Sequence, residues 1–410
     1  MRLPCRGELH LTYCTNIHPG NGWEAVFENL RRYAPALKAR FSPQAPFGLG
    51  LRLSAREARE LLANGRLDEF SSFLQREGLY VAIINGFPHG AFHGTVVKAD
   101  VYAPDWRDEA RVRYTLDLIE ILQRVLPEGI EGGISTAPLS YKAWMADATE
   151  HDWDAITRHV VRIAEALVRV RRDTGKMIHL DIEPEPDCSI ENTDETIAFF
   201  SGRLLPAGGP LLARAVGVDD TAARRLLLEH VQVCFDCCHF AVEYEDPFRA
   251  LARLQAAGIR IGRVQLSSAL RVRFPGEAAA CADTADRLRA FADATYLHQV
   301  VEDSGQGQAE LRQRYPDLPE ALQRAGAACA REWRIHFHVP LFTERYEPFD
   351  STQGYVRDVL QTMVRTGATR HLEIETYTWD VLPAGLKRDL AESIAREYEW
   401  VLENSRIPNP

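Results

Sequence analysis

The stretch "WDAITRHVVRIAEALVRVRRDTGKMIHLDIE", residues 153–183, contains one complete helix-to-strand unit. Its first part places apolar side chains at steps of three and four, the spacing of one face of an α-helix: Trp153, Ile156, Val160, Ile163, Leu167 and Val170. Gly175 is a typical helix stop, and the apolar run "KMIHLDIE" at 176–183 follows it. The stretch therefore predicts a helix that leads into a buried strand.

Seven further apolar runs are similar to this strand, and segments with helical periodicity separate them. They occupy residues 10–16, 47–54, 79–87, 129–136, 231–236, 259–267 and 371–376. Strands that alternate with single helices pair in parallel through right-handed crossovers. Eight such units predict an α/β fold of the (β/α)8 TIM-barrel type, in which insertions extend the chain beyond ~400 residues. An open doubly wound sheet is the alternative, but no GxGxxG-like turn follows the first run.

The interval between the seventh and eighth runs is the longest and contains the surplus chain. Residues 272–345 include two β-like runs, "TYLHQVVE" at 295–302 and "WRIHFHVPLF" at 333–342. We therefore expect an inserted β-hairpin or flap at the barrel mouth. No internal repeat, low-complexity tract or Pro/Gly-rich linker divides the sequence, so residues 1–410 are predicted to form a single TIM-barrel domain.

The composition is that of a globular chain without the features of nucleic-acid or membrane proteins. Of 410 residues, 46% are hydrophobic and 26% charged, and the net charge is −10. An acidic chain is unsuited to nucleic acid, so the expected partner is a small-molecule substrate. No apolar run is long enough to span a membrane, the N-terminus lacks a signal peptide's apolar core, and eight scattered cysteines are typical of reduced thiols. These features predict a cytoplasmic protein.

Polar residues stand at the carboxyl ends of the predicted strands, where a TIM barrel places its chemistry. Glu183 ends the fifth strand, and Asp236, Gln265 and Glu375 end the sixth, seventh and eighth. One such residue alone is commonly a helix cap or an ion-pair partner. Three carboxylates brought together, however, repel one another unless a cation binds between them. The set predicts a divalent metal site with Gln265 as a neutral ligand, and it suits Mn²⁺ or Mg²⁺, or Zn²⁺ if histidines join.

The segment "VCFDCCHF", residues 233–240, carries two competing patterns. Cys234 and Cys237 have the CxxC spacing of zinc and redox sites, but a strand turns residues i and i+3 to opposite faces. No second CxxC pair exists in the chain to complete a zinc site. Cys234 is therefore expected to be a packing residue, and Asp236 and His239 are expected to carry the chemistry.

These motifs resemble those of the xylose-isomerase-like TIM barrels, a superfamily of sugar isomerases, ketose 3-epimerases and type IV endonucleases. Glu183 in "LDIEPEP" is similar to the metal-binding Glu of strand 5, and "DCCH" at 236–239 is similar to the Asp-x-x-His of strand 6. Over nearly the whole chain, the sequence resembles the EboE family of metabolite-traffic proteins. The stretches that carry this resemblance are "LTYCTNIHPG", "NGFPHGAFHG", "STAPLSYK", "HFHVPL" and "HLEIETYTWDVLP".

The resemblance implies a division of roles among these residues. Metal ligands would be Glu183, Asp236, Gln265 and Glu375, and catalytic residues would be Glu183, Glu375, His239 and Arg271, the last of which follows Gln265 by six residues in "VQLSSALR". The superfamily usually has His where this chain has Gln265. A histidine of the insertion is therefore the alternative ligand: His336, His338 or, less favourably, His298. Glu373 shares a strand face with Glu375, and Glu375 is preferred because it lies nearer the carboxyl end.

The function that the resemblance implies is a metal-dependent isomerase or epimerase of a small polyhydroxylated carbonyl compound, in a secondary-metabolite pathway. Dehydration of a cyclitol is a variant of the same chemistry. One alternative is a non-catalytic barrel that binds or carries a metabolite and partners a membrane transferase. Another is an endonuclease IV-like phosphodiesterase, whose additional metal ligands would be His18, His89 and His93.

Overall fold

A computed structural model describes residues 1–3, 8–93, 96–275, 277–303, 312–325, 332–346, 348–380, 382 and 389–406. Strands in these ranges fall into two groups, a set of parallel barrel strands and a set inserted between the last two of them. In chain order they are β1 (His10–Tyr13), β2 (Phe47–Arg52), β3 (Leu79–Asn85), β4 (Gly132–Thr136), β5 (Ile178–Ile182), β6 (Val231–Asp236), β7 (Ile261–Leu266), β8 (Ser268–Arg273), β9 (Val300–Asp303), β10 (Gln313–Tyr315), β11 (Glu332–Val339), β12 (Arg345–Tyr346), β13 (Phe349–Ser351) and β14 (His371–Ile374).

Eight of these strands form a parallel barrel in the order β1-β14-β7-β6-β5-β4-β3-β2. A parallel bridge between Cys14 and Gly50 brings β1 beside β2 and completes the ring. Each of the eight runs singled out in the sequence contributes one barrel strand. The predicted (β/α)8 fold is confirmed, and the open sheet is excluded by the pairing of the first strand with the last.

Helices connect the barrel strands and cover the barrel. In chain order they are α1 (Trp23–Phe41), α2 (Ala55–Leu62), α3 (Arg66–Glu77), α4 (Glu109–Val125), α5 (Glu150–Thr174), α6 (Thr193–Phe199), α7 (Gly209–Val216), α8 (Asp220–His230), α9 (Cys237–Val242), α10 (Pro247–Ala256), α11 (Ala278–Leu288), α12 (Leu318–Arg324), α13 (Gln353–Thr366) and α14 (Leu390–Asn404). Two of them, α11 and α12, belong to the insertion. A π-helical segment, Phe200–Gly208, joins α6 to α7.

Helix α5 shows why the sequence folds as it does locally. Thr149 and Asp152 form a capping box that satisfies the free backbone N–H groups of the first turn. Gly175 ends the helix in the left-handed region, with φ of 75°, where a side chain would be strained. The predicted apolar stripe is the buried face, which includes Ile156, Val160, Ile163 and Leu167.

Successive side chains of a barrel strand point alternately outward and inward, and this alternation decides which of them lie at the barrel mouth. Ile178, Leu180 and Ile182 of β5 belong to the apolar core outside the barrel wall. His179 and Asp181 face inward, against Gly133 and Gly262 of the neighbouring strands. Because residues i and i+2 share a face, the residue that follows β5 on the inner face lies at the open end of the barrel. That residue is Glu183.

The insertion begins immediately after β7 and is larger than a hairpin. It forms a six-stranded antiparallel sheet in the order β10-β9-β11-β8-β13-β12, from Ser268 to Ser351 rather than 272–345. The two β-like runs noted in the sequence supply β9 and β11, which pair with each other. The sequence analysis missed β10, β12 and β13 because they have only two or three residues, too few to show alternation.

Two further findings concern the sequence-based expectations about the environment of the chain. Within the described ranges, no helix is long and apolar enough to cross a membrane. Free thiols are present at Cys14, Cys188, Cys234, Cys237 and Cys238. Cys281 is disulfide-bonded, so the expectation that all cysteines are reduced is wrong at this position.

Candidate functional site

Three carboxylates converge at the carboxyl end of the barrel, and we call them the carboxylate cluster: Glu183, Asp236 and Glu375. They follow or end β5, β6 and β14, and each offers an oxygen within 4.8 Å of the others. Their exposed fractions are 4%, 0% and 4%, so water screens their charges poorly. The sequence-based grouping of these three residues therefore corresponds to a real juxtaposition.

Hydrogen bonds orient this cluster and leave two of its oxygens unused. Asp236 Oδ1 accepts from the backbone N–H of His239 at 2.9 Å and from Ser267 Oγ at 2.8 Å. Glu375 Oε1 accepts from the side-chain amides of Asn16 and Asn85, at 2.8 and 3.1 Å. Asp236 Oδ2 and Glu183 Oε2 are buried and have no hydrogen-bond partner among the described residues. Two buried, unpartnered carboxylate oxygens are the donor set expected of a cation site.

Electrostatic repulsion within the cluster is strong. Burial, and then the negative charges of the neighbouring carboxylates, raise the pKa of Glu183 and of Glu375 well above their ordinary range. The pKa of Asp236 is lowered: burial raises it, but the charges of His239 and His338 and its hydrogen bonds outweigh that effect. Without a cation, the cluster therefore retains protons on its glutamates.

A second group, the histidine cluster, lies beside the first and consists of His239, His336 and His338. His239 is on α9, whereas His336 and His338 are both on β11 of the insertion. The ring centroids are 4.6 Å apart for His239 and His336, 5.3 Å for His336 and His338, and 5.9 Å for His239 and His338. Asp236 lies close to this cluster too, since it groups with His239 and His338 within 4.8 Å. The insertion thus supplies part of the site rather than only a cover.

The tautomer of each imidazole follows from its partner. His239 Nδ1 donates to the carbonyl oxygen of Pro184 at 2.8 Å, and His338 Nδ1 donates to that of Glu375 at 3.0 Å. His336 Nδ1 is 2.7 Å from Gln299 Oε1. The orientation of that amide is fixed because Gln299 Nε2 donates to the carbonyl of Pro186. The Nδ1 atoms of His239 and His338 therefore carry a proton. His239 Nε2 makes a hydrogen bond of 3.1 Å with His336 Nε2, whereas His338 Nε2 has no partner among the described residues.

Burial keeps two of these imidazoles neutral. It lowers the pKa of His338 to about 4 and, together with the charges of the neighbouring histidines, lowers that of His336 well below its ordinary value. At neutral pH, both rings are therefore available as ligands rather than as cations.

A pocket opens above the two clusters and encloses about 540 Å³ of space, part of it open to solvent. Its polar floor includes members of both clusters. Its opposite wall is apolar and aromatic, because Phe92, Tyr296 and Tyr377 pack against one another with centroids 5.0 to 5.2 Å apart. The pocket therefore combines metal-ligand chemistry with a surface that suits the carbon face of a ring.

Gln265 and Arg271 are not among the residues that line this pocket. Gln265 Oε1 accepts a hydrogen bond from Cys234 Sγ at 2.9 Å, inside the barrel. Arg271 lies on β8 and pairs with Asp350 at 3.3 Å, within the inserted sheet. Of the alternatives considered for the strand-7 ligand, His336 and His338 do line the pocket, whereas His298 bonds Asp293 and the backbone of His336.

The three histidines considered for a phosphodiesterase cluster lie outside both clusters. His18 contacts Tyr13 OH through Nε2 at 3.0 Å and stacks on Tyr33. His89 packs edge-on against Tyr114. His93 Nε2 donates to the backbone oxygen of Asn16. None of the three belongs to a possible metal-ligand group in the described part of the chain.

Sequence analysis missed a fourth buried acid of the pocket, Glu185. It accepts a hydrogen bond from Tyr102 OH at 2.7 Å and groups with His239 and His336 within 4.8 Å. Its pKa is raised by burial. The signal was present in "LDIEPEP", where Glu185 follows Glu183 by two residues. The residues that hold it in place are remote in sequence: Tyr102 donates to Glu185, and Gln299 donates to Tyr102.

No family model and no curated protein matches the sequence, so membership of the EboE family stays a prediction. Solved structures similar to the chain include a xylose isomerase-like TIM-barrel protein from Mycobacterium smegmatis in complex with magnesium, at 13% identity over 98% of this chain and 97% of that one, with a TM-score of 0.47. The IolI protein with a bound zinc atom has 11% identity over 97% and 99%, with a TM-score of 0.44. A D-allulose 3-epimerase from a Methylomonas species has 13% identity over 72% and 85%, with a TM-score of 0.39.

Proposed function

We propose that the chain is a metal-dependent isomerase or epimerase of a small polyhydroxylated carbonyl compound. The observation that carries this proposal is the carboxylate cluster, with its buried and unpartnered oxygens on Asp236 and Glu183. Asn16 and Asn85 hold Glu375 from one side, so the cluster is preorganised for a divalent ion such as Mn²⁺ or Mg²⁺. Such an ion would supply Lewis-acid polarisation of a carbonyl oxygen and an adjacent hydroxyl.

The chain's own residues would move the proton. Glu183 and Glu375 come from opposite sides of the cluster, after β5 and β14. One would remove the proton from the carbon next to the carbonyl group, and the other would return it to the same or the neighbouring carbon. The aromatic wall of Phe92, Tyr296 and Tyr377 would cover the substrate and exclude water. Arg271 is left out of this proposal because it is engaged with Asp350.

The metal part of the proposal is tested by titrating Mn²⁺ into metal-free protein and following it by electron paramagnetic resonance. Asp236→Asn and Glu375→Gln are expected to weaken binding by more than about 100-fold, because each removes a charged ligand. Glu397→Gln is the matched control, since Glu397 is equally buried but lies outside the pocket. Unchanged Mn²⁺ affinity in both site variants would contradict the proposal.

The catalytic part is tested by incubating Mn²⁺-loaded protein with a panel of ketoses and keto-cyclitols in D₂O. Deuterium at the carbon next to the carbonyl group, detected by NMR and lost in Glu183→Gln, is the expected result. Binding without exchange for every compound would instead favour the non-catalytic metabolite-binding barrel.

A further inference from the structure

A second cavity lies at the other end of the barrel from the carboxylate cluster, where the strands begin. It encloses about 1490 Å³ of space, part of it open to solvent, and water can occupy about 610 Å³ of it. Sites for small molecules commonly measure about 300–1,000 Å³. The floor of the cavity is formed at the amino ends of β4, β5, β6 and β7, and its walls include helices α10 and α13. It is therefore large enough for a ligand that the proposed function does not use.

The floor of this cavity is polar, whereas the interior of a TIM barrel is normally packed with branched aliphatic side chains. His179 of β5 faces inward, and Gln232 of β6 shares the inner face with Cys234 and Asp236, because residues i and i+2 of a strand point the same way. Both side chains line the cavity. Their residues are only 2% and 5% exposed, so these polar groups are buried in the barrel base.

Each of these two side chains keeps one acceptor atom without a partner among the described residues. His179 Nδ1 donates to Asp181 Oδ1 at 2.5 Å, which leaves its Nε2 with a lone pair. Gln232 Nε2 donates to the backbone oxygen of Glu229 at 2.8 Å, which leaves its Oε1 free. Buried acceptors normally receive a hydrogen bond. The floor is therefore complementary to a ligand that carries a hydroxyl donor.

The lining of the cavity is positively charged, although the whole chain has a net charge of −10. Its residues with a formal charge are two cations and one anion, Arg260, Arg370 and Glu131. Arg370 pairs with Glu131 at 3.0 Å, whereas Arg260 has no ion pair with any described residue. The guanidinium of Arg260 is therefore free to bind a carboxylate, which matches its geometry with two parallel hydrogen bonds.

Apolar side chains from the two helices complete the lining. Leu251 of α10 and Met363 of α13 are buried, and Phe248 of α10 is 49% exposed. The phenyl ring of Phe248 offers a surface on which an aromatic ring can stack. A methionine side chain also makes favourable contacts with aromatic rings. These walls therefore suit a flat aromatic body.

We propose that this cavity binds a small aromatic hydroxy acid. The ring would lie against Phe248 and Met363, the carboxylate would bind Arg260, and the hydroxyl group would donate to the free acceptors of the floor. This site is at the end of the barrel opposite to the carboxylate cluster. It requires no metal ion and does not rest on the proposed function.

The methionine methyl groups provide a test, because Met363 lines the cavity and Met1, Met145 and Met177 do not. Protein labelled with [methyl-¹³C]methionine is titrated with 4-hydroxyphenylacetate and with 3-(4-hydroxyphenyl)propionate, and Met363→Leu assigns the resonance. The expected result is a saturable shift of the Met363 signal with at least one of these acids. A Met363 signal that neither acid moves, up to the solubility limit, would mean that the cavity holds only water and would overturn the proposal.

Matched variants and compounds test the individual contacts. Arg260→Gln should weaken binding of the acid by about tenfold or more, because a charge-assisted hydrogen bond is lost, and should leave binding of its methyl ester unchanged. Arg249→Gln removes an exposed arginine of α10 that lies outside the cavity, and it should alter neither. Phe248→Ala should weaken the acid and the ester alike. In the wild type, phenylacetate, which lacks the hydroxyl group, should bind about fivefold more weakly than 4-hydroxyphenylacetate.

Three results would contradict the assigned ligand class. They are equal affinity of the wild type for the acid and its methyl ester, equal affinity for 4-hydroxyphenylacetate and phenylacetate, and unchanged affinity for the acid in Arg260→Gln. None of them concerns Mn²⁺ binding at the carboxylate cluster, so failure of this site and failure of the proposed function are distinguished.

Discussion

A buried guanidinium below the carboxylate cluster forms hydrogen bonds with several groups inside the barrel. Arg263 of β7 bonds Asp181 at 3.3 Å and Glu373 at 3.1 Å, and it donates to the backbone oxygens of Ile84 and Gly133. All of its charge is out of water. Its bond to Glu373 also separates the two candidates for the strand-8 ligand, because Glu373 is held in the interior while Glu375 lines the pocket.

Replacement of this arginine is expected to be severely destabilising. Arg263→Met leaves Glu373 buried without its ion-pair partner and Asp181 with only its contact to His179 at 2.5 Å. Loss of one partner from a buried ion pair costs about 3–5 kcal/mol. The free energy of unfolding, measured by urea denaturation, should fall by that amount. Arg273→Met removes an arginine whose side chain is 62% exposed, and it should cost less than about 1 kcal/mol. Equal stabilities of the two variants would contradict this account.

At the residue scale, the sequence was informative wherever a side chain's position follows from its own strand. Glu183, Asp236 and Glu375 could be grouped because parallel strands end at the same rim of a barrel. Gln265 occupies the corresponding position on β7, but its side-chain oxygen accepts a hydrogen bond from Cys234. No argument from the strand ends could detect that bond, because it depends on how the side chains of the neighbouring strands β6 and β7 pack.

At the scale of elements, the C-terminal helix α14 is tied to the barrel mouth by a buried carboxyl group. Glu397 Oε1 accepts from Thr376 Oγ1 at 2.6 Å and from the backbone N–H of Leu341 at 3.2 Å. Burial raises its pKa to about 8, and the two hydrogen bonds only partly oppose that shift. The helix therefore docks with this group protonated near neutral pH.

The raised pKa of Glu397 makes α14 a source of pH-dependent stability. In the unfolded chain this group titrates near 4.5. Between that pH and about 8 the folded state binds more protons, so the free energy of unfolding falls as pH rises, by up to about 1.4 kcal/mol per pH unit. Glu397→Gln should remove this slope. Urea denaturation of both proteins at pH 5, 6, 7 and 8 checks it, and parallel stability curves would contradict the assignment.

The elements that could be predicted are those long enough to show a period. Apolar runs predicted the barrel strands, and apolar residues at steps of three and four predicted α5. The inserted sheet could not be predicted in this way, because its strands pair across long stretches of chain. For example, β8 lies between β11 and β13, both more than fifty residues later. Pairing at that separation depends on tertiary docking, on which local periodicity gives no information.

At the scale of the whole molecule, the insertion is fastened to the barrel through the loop after α9. Arg314 of β10 makes two bonds of 2.6 Å to Glu243 and lies 3.4 Å from Glu191. Arg334 of β11 stacks on Tyr244, 3.9 Å from the ring centroid. Burial raises the pKa of Glu243 to about 7, with Arg314 opposing the shift. These contacts hold β11, and with it His336 and His338, over the barrel mouth.

Removal of the Arg314 contact should therefore loosen the insertion without disturbing the carboxylate cluster. In Arg314→Met, Glu243 loses its bidentate partner and takes up a proton. Amide hydrogen exchange in β9 and β11 should become faster by about tenfold or more, which corresponds to about 1.4 kcal/mol of local stability.

Mn²⁺ binding shows whether the effect of Arg314→Met is confined to the insertion. Mn²⁺ affinity at the carboxylate cluster should stay unchanged in this variant, because Glu183, Asp236 and Glu375 follow or end barrel strands. Arg287→Met, which removes an exposed ion pair with Asp283 on α11, should alter neither the exchange in β11 nor the Mn²⁺ affinity. If amide exchange in β9 and β11 is the same in Arg314→Met and Arg287→Met, the contact between Arg314 and Glu243 does not hold the insertion on the barrel.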